Sequence, residues 1–150
     1  IRVNPDVDAR THAKITTGKA ENKFGVALDD AAALYARMAS LPGIRPVGIA
    51  VHIGSQITEG MSAYRAAYAR VAELVTALRN RGLPVERVDC GGGLGIPYRD
   101  EPAPSPEALA GVIRVTSSAS PSAVRICAEI GIDFALRGHT PPPLAISAVS

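Results

Sequence analysis

Val47-Gly48-Ile49-Ala50-Val51, continued by His52-Ile53-Gly54-Ser55, and Val85-Glu86-Arg87-Val88-Asp89-Cys90, continued by Gly91-Gly92-Gly93-Leu94-Gly95, decide the fold. The first opens on a continuous apolar run, the pattern expected of a strand buried on both faces, as in parallel sheets. Between the two lies a helical stretch from about Met61 to Arg81, with Val71, Leu74, Val75 and Leu78 on one face and Gly82 as its stop. Working outward, Ile1-Arg2-Val3-Asn4 reads as the end of a strand closed by Pro5, and residues 5–25 read as polar and turn-rich. A helix is predicted from about Asp29 to Ser40. Its acidic pair Asp29-Asp30 suits the positive end of the helix dipole, and Leu34, Met38 and Leu41 form its apolar stripe. Pro42-Gly43 ends it. Pro102, Pro104 and Pro106 mark a loop before a third helix over about Glu107–Val115, and Ala123–Ala128 is a fourth strand candidate. Strict alternation of strand and helix means α/β with parallel strands.

Composition narrows the function classes. Apolar residues make up 47% and charged residues 20%, the balance of a globular protein. Sixteen Lys+Arg against fourteen Asp+Glu leave +2, evenly spread, which makes no electrostatic case for nucleic acid. No apolar run approaches the length of a membrane span. Cys90 and Cys127 cannot build a disulfide scaffold, so reduced thiols in the cytosol are expected. The chain starts at Ile1 rather than Met, with no signal-peptide pattern before the first strand. From Thr116 onward comes a Ser/Pro-rich tail with no acidic residue after Asp133.

In parallel α/β proteins ligands sit at the carboxyl ends of the strands. His52 directly follows the Val47–Val51 run, with Ser55 three residues on and Gly54 allowing the turn. Gly91, Gly92, Gly93 and Gly95 follow the next strand; a backbone stripped of side chains can close its N–H groups around an anion, usually phosphate. Glu129 and Gly131 follow the last strand. Each has a plainer structural reading. His52 could bond backbone at a strand end, the glycines could be a flexible turn, and Glu129 could be a solvated surface carboxylate. Taken alone, His52 and Glu129 fit the plainer reading better; the glycine run fits the anion cradle better, because its unfolded-state entropy needs a reason. No Lys-Ser/Thr follows the glycines, so they are not a nucleotide-triphosphate loop, nor do they complete a dinucleotide fingerprint. No HExxH, CxxC or His/Cys/Asp cluster supports a metal site, and no G-x-S-x-G supports a serine hydrolase. His12 and His139 read as solvated, and Cys90 as packed rather than reactive.

Beyond these elements, the chain resembles a known family. Asn4-Pro5-Asp6-Val7-Asp8, Thr11-His12, Thr17-Gly18 and Asn22-Lys23-Phe24-Gly25 look like the middle of the diaminopimelate decarboxylases. His52-Ile53-Gly54-Ser55-Gln56 and Asp89-Cys90-Gly91-Gly92-Gly93-Leu94-Gly95-Ile96-Pro97-Tyr98 continue the likeness in order, through about residue 114. The His-x-Gly-Ser and triple-Gly motifs are shared by all barrel-type, pyridoxal-phosphate-dependent amino-acid decarboxylases; the Thr-His, Thr-Gly and Lys-Phe-Gly segment selects the diaminopimelate enzymes among them.

The resemblance implies a (β/α)8 barrel paired with a β-domain, a homodimer with active sites at its interface, and pyridoxal 5'-phosphate held by a Schiff-base Lys. The implied reaction takes meso-diaminopimelate to L-lysine, a small-molecule amino-acid substrate in a cytoplasmic pathway. By motif, His52 would lie against the pyridine ring. Ser55 and the amides of Gly91, Gly92 and above all Gly93 would hold the phosphate, with Arg2 near the cofactor. Glu129 and Gly131 match the Glu and Gly of a Glu-Pro-Gly-Arg motif whose Glu pairs with the pyridinium nitrogen, but Ile130 and Ile132 stand where Pro and Arg are expected. The family's Schiff-base Lys lies before Ile1, so Lys14, Lys19 and Lys23 are not candidates and no catalytic residue is expected here.

A complete barrel needs roughly 250 residues, against 150 here. The expected architecture is therefore α/β, a partial (β/α)8 TIM-type barrel of about four βα units. Residues 1–115 are read as the second half of the pyridoxal-phosphate-binding barrel. Residues 116–150 are read as a divergent tail, truncated or translated in a shifted frame, and the isolated chain is expected to be inactive. The alternatives are a related ornithine, arginine or carboxynorspermidine decarboxylase, or a non-functional phosphate- or cofactor-binding fragment.

Overall fold

The computed structural model describes residues 1–7, 24–98, 102–118 and 125–127. The strands are β1 (Arg2–Asn4), β2 (Val26–Ala27), β3 (Gly48–Val51), β4 (Arg87–Asp89) and β5 (Arg125–Cys127); the helices are α1 (Leu28–Ser40), α2 (Ser62–Asn80) and α3 (Pro106–Ser118). All five strands are parallel, in the order β2-β1-β3-β4-β5. β1, β3, β4 and β5 thus lie side by side in chain order with one helix in each crossover. Right-handed crossovers that advance in one direction put their helices on one face of the sheet, and α2 packs against both α1 and α3. This is an arc of a barrel wall, not a doubly wound sheet, which would reverse its strand order and carry helices on both faces.

Burial alternates along the strands with period two. Val3, Ile49, Val51 and Val88 are buried, while Arg2, Asn4, Gly48, Ala50, Arg87 and Asp89 are not. Ile49 and Val51 join the core of the helix side with Tyr64, Val71, Val75 and Leu78 from α2 and Leu109, Val112 and Ile113 from α3. The continuous apolar run at Val47–Val51 had suggested a strand buried on both faces. Among the described residues it is buried on one, because Gly48 and Ala50 face away from the helices. Gly48 is a spacing residue: a Cβ there would stand 2.3 Å from the Arg87 carbonyl oxygen.

α2 follows its sequence signal. Val71, Leu74, Val75 and Leu78 are all buried. The helix closes as expected at Gly82, whose φ of +75° lets its N–H reach the Arg79 carbonyl (2.8 Å) and the Leu83 N–H reach that of Leu78 (3.1 Å), a Schellman cap. α3 starts on Pro106, whose missing N–H costs nothing at a first helical position, and Ser105 Oγ accepts the Ala108 N–H at 3.2 Å. It runs to Ser118, past the expected end at Val115. Thr116-Ser117-Ser118 are weak helix formers read locally as tail, but packing of Leu109, Val112 and Ile113 carries the helix through them.

Two further features depart from the sequence reading. α1 does not bury Leu34, Met38 and Leu41: Leu34 and Leu41 are exposed, and the buried positions are Ala31 and Tyr35. Tyr35 wins the core-facing place because its phenol donates to the Pro84 carbonyl at 2.7 Å, tying α1 to the turn that leads into β4. The other is β2, absent from the sequence reading. Two residues are too short for a periodic signal; they become a strand only because Val26 and Ala27 pair with Val3 and Asn4.

Candidate functional site

Because each helix runs back against its strands, the carboxyl ends of β3 and β4 and the first turns of α2 share one end of the sheet. There two loops, residues 52–58 and 90–96, extend the parallel pairing of β3 and β4. The Ile57 N–H donates to the Gly93 carbonyl (2.9 Å), and the Gly95 N–H donates to the Ile57 carbonyl (3.0 Å). Ile57 and Leu94 form an isolated parallel bridge. Gln56, at φ +57°, completes the zip with its side-chain amide. Its Nε2 donates to the Ile96 carbonyl (2.5 Å) and its Oε1 accepts the Ile96 N–H (3.4 Å).

The glycines are required by this contact. A Cβ on Gly91 would stand 2.2 Å from the Val51 carbonyl oxygen and 3.1 Å from the His52 Cα; one on Gly93 would stand 1.8 Å from the Gly54 carbonyl oxygen and 3.5 Å from the Ser55 Cα. Both also hold positive φ, +65° and +92°, where L side chains are strained. So His52, Ser55, Gly91 and Gly93 are brought together, backbone against backbone. His52 continues the face of Gly48 and Ala50, away from the helices; it is half-buried, while Ser55 is exposed on the loop.

The three glycines do not act alike. Asp89 Oδ1 takes the Gly91 N–H at 2.8 Å, so Gly91 supplies shape and its amide is committed. The Gly92 and Gly93 N–H groups donate to nothing among the described residues. Backbone N–H groups without an internal acceptor are the kind of donor that anions use. Register sets Arg2 and Asp89 on either side of Ala50; the Arg2 guanidinium lies over the Phe24 ring, 5.6 Å from its centroid. Glu129 and Gly131 lie outside the described residues, as do His12 and His139. Among the described residues no group of three His, Cys, Asp or Glu could hold a metal, and no helix is long and apolar enough to cross a membrane.

The sequence reading missed the support behind the loop. Tyr64 and Tyr68 are buried on α2, rings 5.9 Å apart at 52°. The Tyr68 hydroxyl donates to the Cys90 carbonyl (3.1 Å) and the Tyr64 hydroxyl, more loosely, to that of Gly92 (3.4 Å). Burial pushes the Tyr64 phenol up to about 12 and raises that of Tyr68 as well, so both stay protonated donors. The available signal was their i, i+4 spacing, in step with Val71 and Val75, on the helix turns nearest the loops.

Residues 1–135 match the model of a family described as pyridoxal-dependent decarboxylase, pyridoxal binding domain. The chain belongs to that family. The match takes in Glu129 and Gly131. The chain is 49% identical over 116 residues to the diaminopimelate decarboxylase of Zymomonas mobilis, covering 76% of this chain and 27% of that one. To the Pseudomonas aeruginosa enzyme it is 49% identical over 104 residues, 69% of this chain and 25% of the other. It therefore spans about a quarter of the length of these curated relatives. Among solved structures, Helicobacter pylori diaminopimelate decarboxylase complexed with L-lysine superposes with a TM-score of 0.73 at 31% identity, over 86% of this chain and 32% of that one. A lysine/ornithine decarboxylase from Vibrio vulnificus complexed with cadaverine gives 0.62 at 29% identity, over 72% and 29%. The arc of parallel strands is thus that of the pyridoxal-dependent barrel decarboxylases.

Proposed function

We propose that this chain forms part of the pyridoxal 5'-phosphate site of a diaminopimelate decarboxylase, which converts meso-diaminopimelate to L-lysine in the cytoplasm and works as a homodimer. The observation that carries the reading is the close approach of Gly91 and Gly93 to residues 51–55, with the Gly92 and Gly93 amides donating to nothing among the described residues. In this reading those amides and the Ser55 hydroxyl hold the phosphate, and His52 lies against the ring. By the family motif, Glu129 would pair with the ring nitrogen. The Asp89 carboxylate holds the Gly91 peptide in place rather than touching the anion. When bound, the cofactor supplies an electron sink for the carbanion that loss of a carboxylate leaves. The protein residues orient it, exclude water and keep the phosphate anchored while that charge develops.

The test uses the full chain that carries this sequence, supplied with pyridoxal 5'-phosphate and offered meso-diaminopimelate, ornithine, arginine and carboxynorspermidine separately. Lysine with carbon dioxide from diaminopimelate alone is the expected result. Preferential decarboxylation of ornithine, arginine or carboxynorspermidine would favour the second reading, a related amino-acid decarboxylase, which the likeness to the Vibrio vulnificus lysine/ornithine enzyme keeps in view. Turnover of none of the four, with no cofactor bound, would favour a non-functional product.

A further inference from the structure

We propose that Tyr64 and Tyr68 are positioning residues that set the polarity of the glycine loop, holding its peptides so that donors and not carbonyls face the bound phosphate; the inference rests on the phosphate reading of that loop. A trans peptide points its C=O and the following N–H in opposite directions, and every described peptide here is trans. The Gly92 carbonyl turns back into the helix layer to meet the Tyr64 hydroxyl, so the Gly93 N–H of the same peptide points away from α2, toward the mouth of the sheet. The Cys90 carbonyl likewise turns back to Tyr68, and the Gly91 N–H points the other way, where Asp89 receives it.

The device answers a weakness of glycine. A Gly-Gly peptide has no side chain to bias it and can rotate about its flanking bonds at little steric cost. Rotation of the Gly92–Gly93 plane would turn a carbonyl dipole, in place of a donor, toward a dianion. Hydrogen bonds from two buried phenols oppose that rotation. Phenylalanine would fill the same core volume and leave the loop free to turn. Tyr64 acts on the peptide that donates to the anion. Tyr68 acts on one whose amide Asp89 already holds, so its effect is the smaller.

The experiment compares Tyr64→Phe, Tyr68→Phe and the double variant with the unaltered full chain. Each is titrated by absorbance with pyridoxal 5'-phosphate and, separately, with pyridoxal, which lacks the phosphate. The ratio of the two affinities is unaffected by any fall in the folded fraction. Tyr64→Phe should lower that ratio roughly two- to fivefold, the loss of one long hydrogen bond at the weak end of the usual range; Tyr68→Phe should lower it less, and the double variant most. The phosphorus resonance of the bound ligand should move in the same order. A preference unchanged in all three variants, or equal weakening for both ligands, overturns the positioning role while leaving the phosphate reading intact. An unaltered chain with no preference for the phosphorylated ligand overturns the reading and the inference together.

Discussion

Gly93 and Gly60 separate backbone conformation from close approach. Their φ angles are nearly equal, +92° and +90°, yet a Cβ on Gly60 meets nothing within 4 Å while one on Gly93 runs into the Gly54 carbonyl. Both alanine variants incur the penalty of positive φ, about 1–2 kcal/mol. Only Gly93→Ala must also push the two loops apart. Chemical denaturation of the full chain should show Gly60→Ala destabilised by about that amount with pyridoxal 5'-phosphate affinity kept, and Gly93→Ala losing at least about tenfold in affinity, the equivalent of about 1.4 kcal/mol. Equal affinities in the two variants would mean that loop contact does not shape the site. At this scale the sequence was informative about residue type and uninformative about partner. His52 and the glycines stand out by position, because a run of glycines after a strand has few other uses. That Gln56 pairs with Ile96 across forty positions of chain depends on which loops end side by side, whereas Asp89 claims the Gly91 amide from only two residues away.

The helices show the same division. α2 was legible because four buried aliphatic residues repeat at helical spacing. α1 was legible in its extent but not in its buried face, because its alanines are apolar enough to belong to any face and one hydrogen bond from Tyr35 selects the face that turns inward. Leu78, fully buried at the end of α2, should cost about 2–5 kcal/mol as Leu78→Ala. Gly111 sits within α3 with open space where a Cβ would go. Gly111→Ala should therefore stabilise by about 0.5–1 kcal/mol, by lowering the entropy of the unfolded chain. Denaturant midpoints would check both, and destabilisation by Gly111→Ala would mean that α3 packs more closely there than its geometry indicates. Tyr35→Phe leaves the Pro84 carbonyl without its donor and should cost about 1–2 kcal/mol, with α1 loosening first in amide exchange.

The whole molecule carries a pH signature. Burial raises the phenols of Tyr35, Tyr64 and Tyr68 above 10.0, with the Glu86 carboxylate adding to the effect on Tyr35, and Tyr64 reaches about 12. An unfolded chain releases these protons near 10 while the fold retains them, so this contribution to stability is complete below pH 10 and declines as the pH climbs toward 12. The urea midpoint should fall across that window, and the Tyr64→Phe, Tyr68→Phe double variant should show a shallower fall; a midpoint with the same alkaline slope in both would contradict the assignment. By itself the sequence determined the α/β class, the parallel strands, the closing turn of α2 and the strand ends where a ligand would sit, because periodicity, caps and glycine runs are local signals. Only the tertiary structure decided that β2 is a strand and which face of α1 is buried, because each depends on residues distant in the chain meeting at hydrogen-bond range.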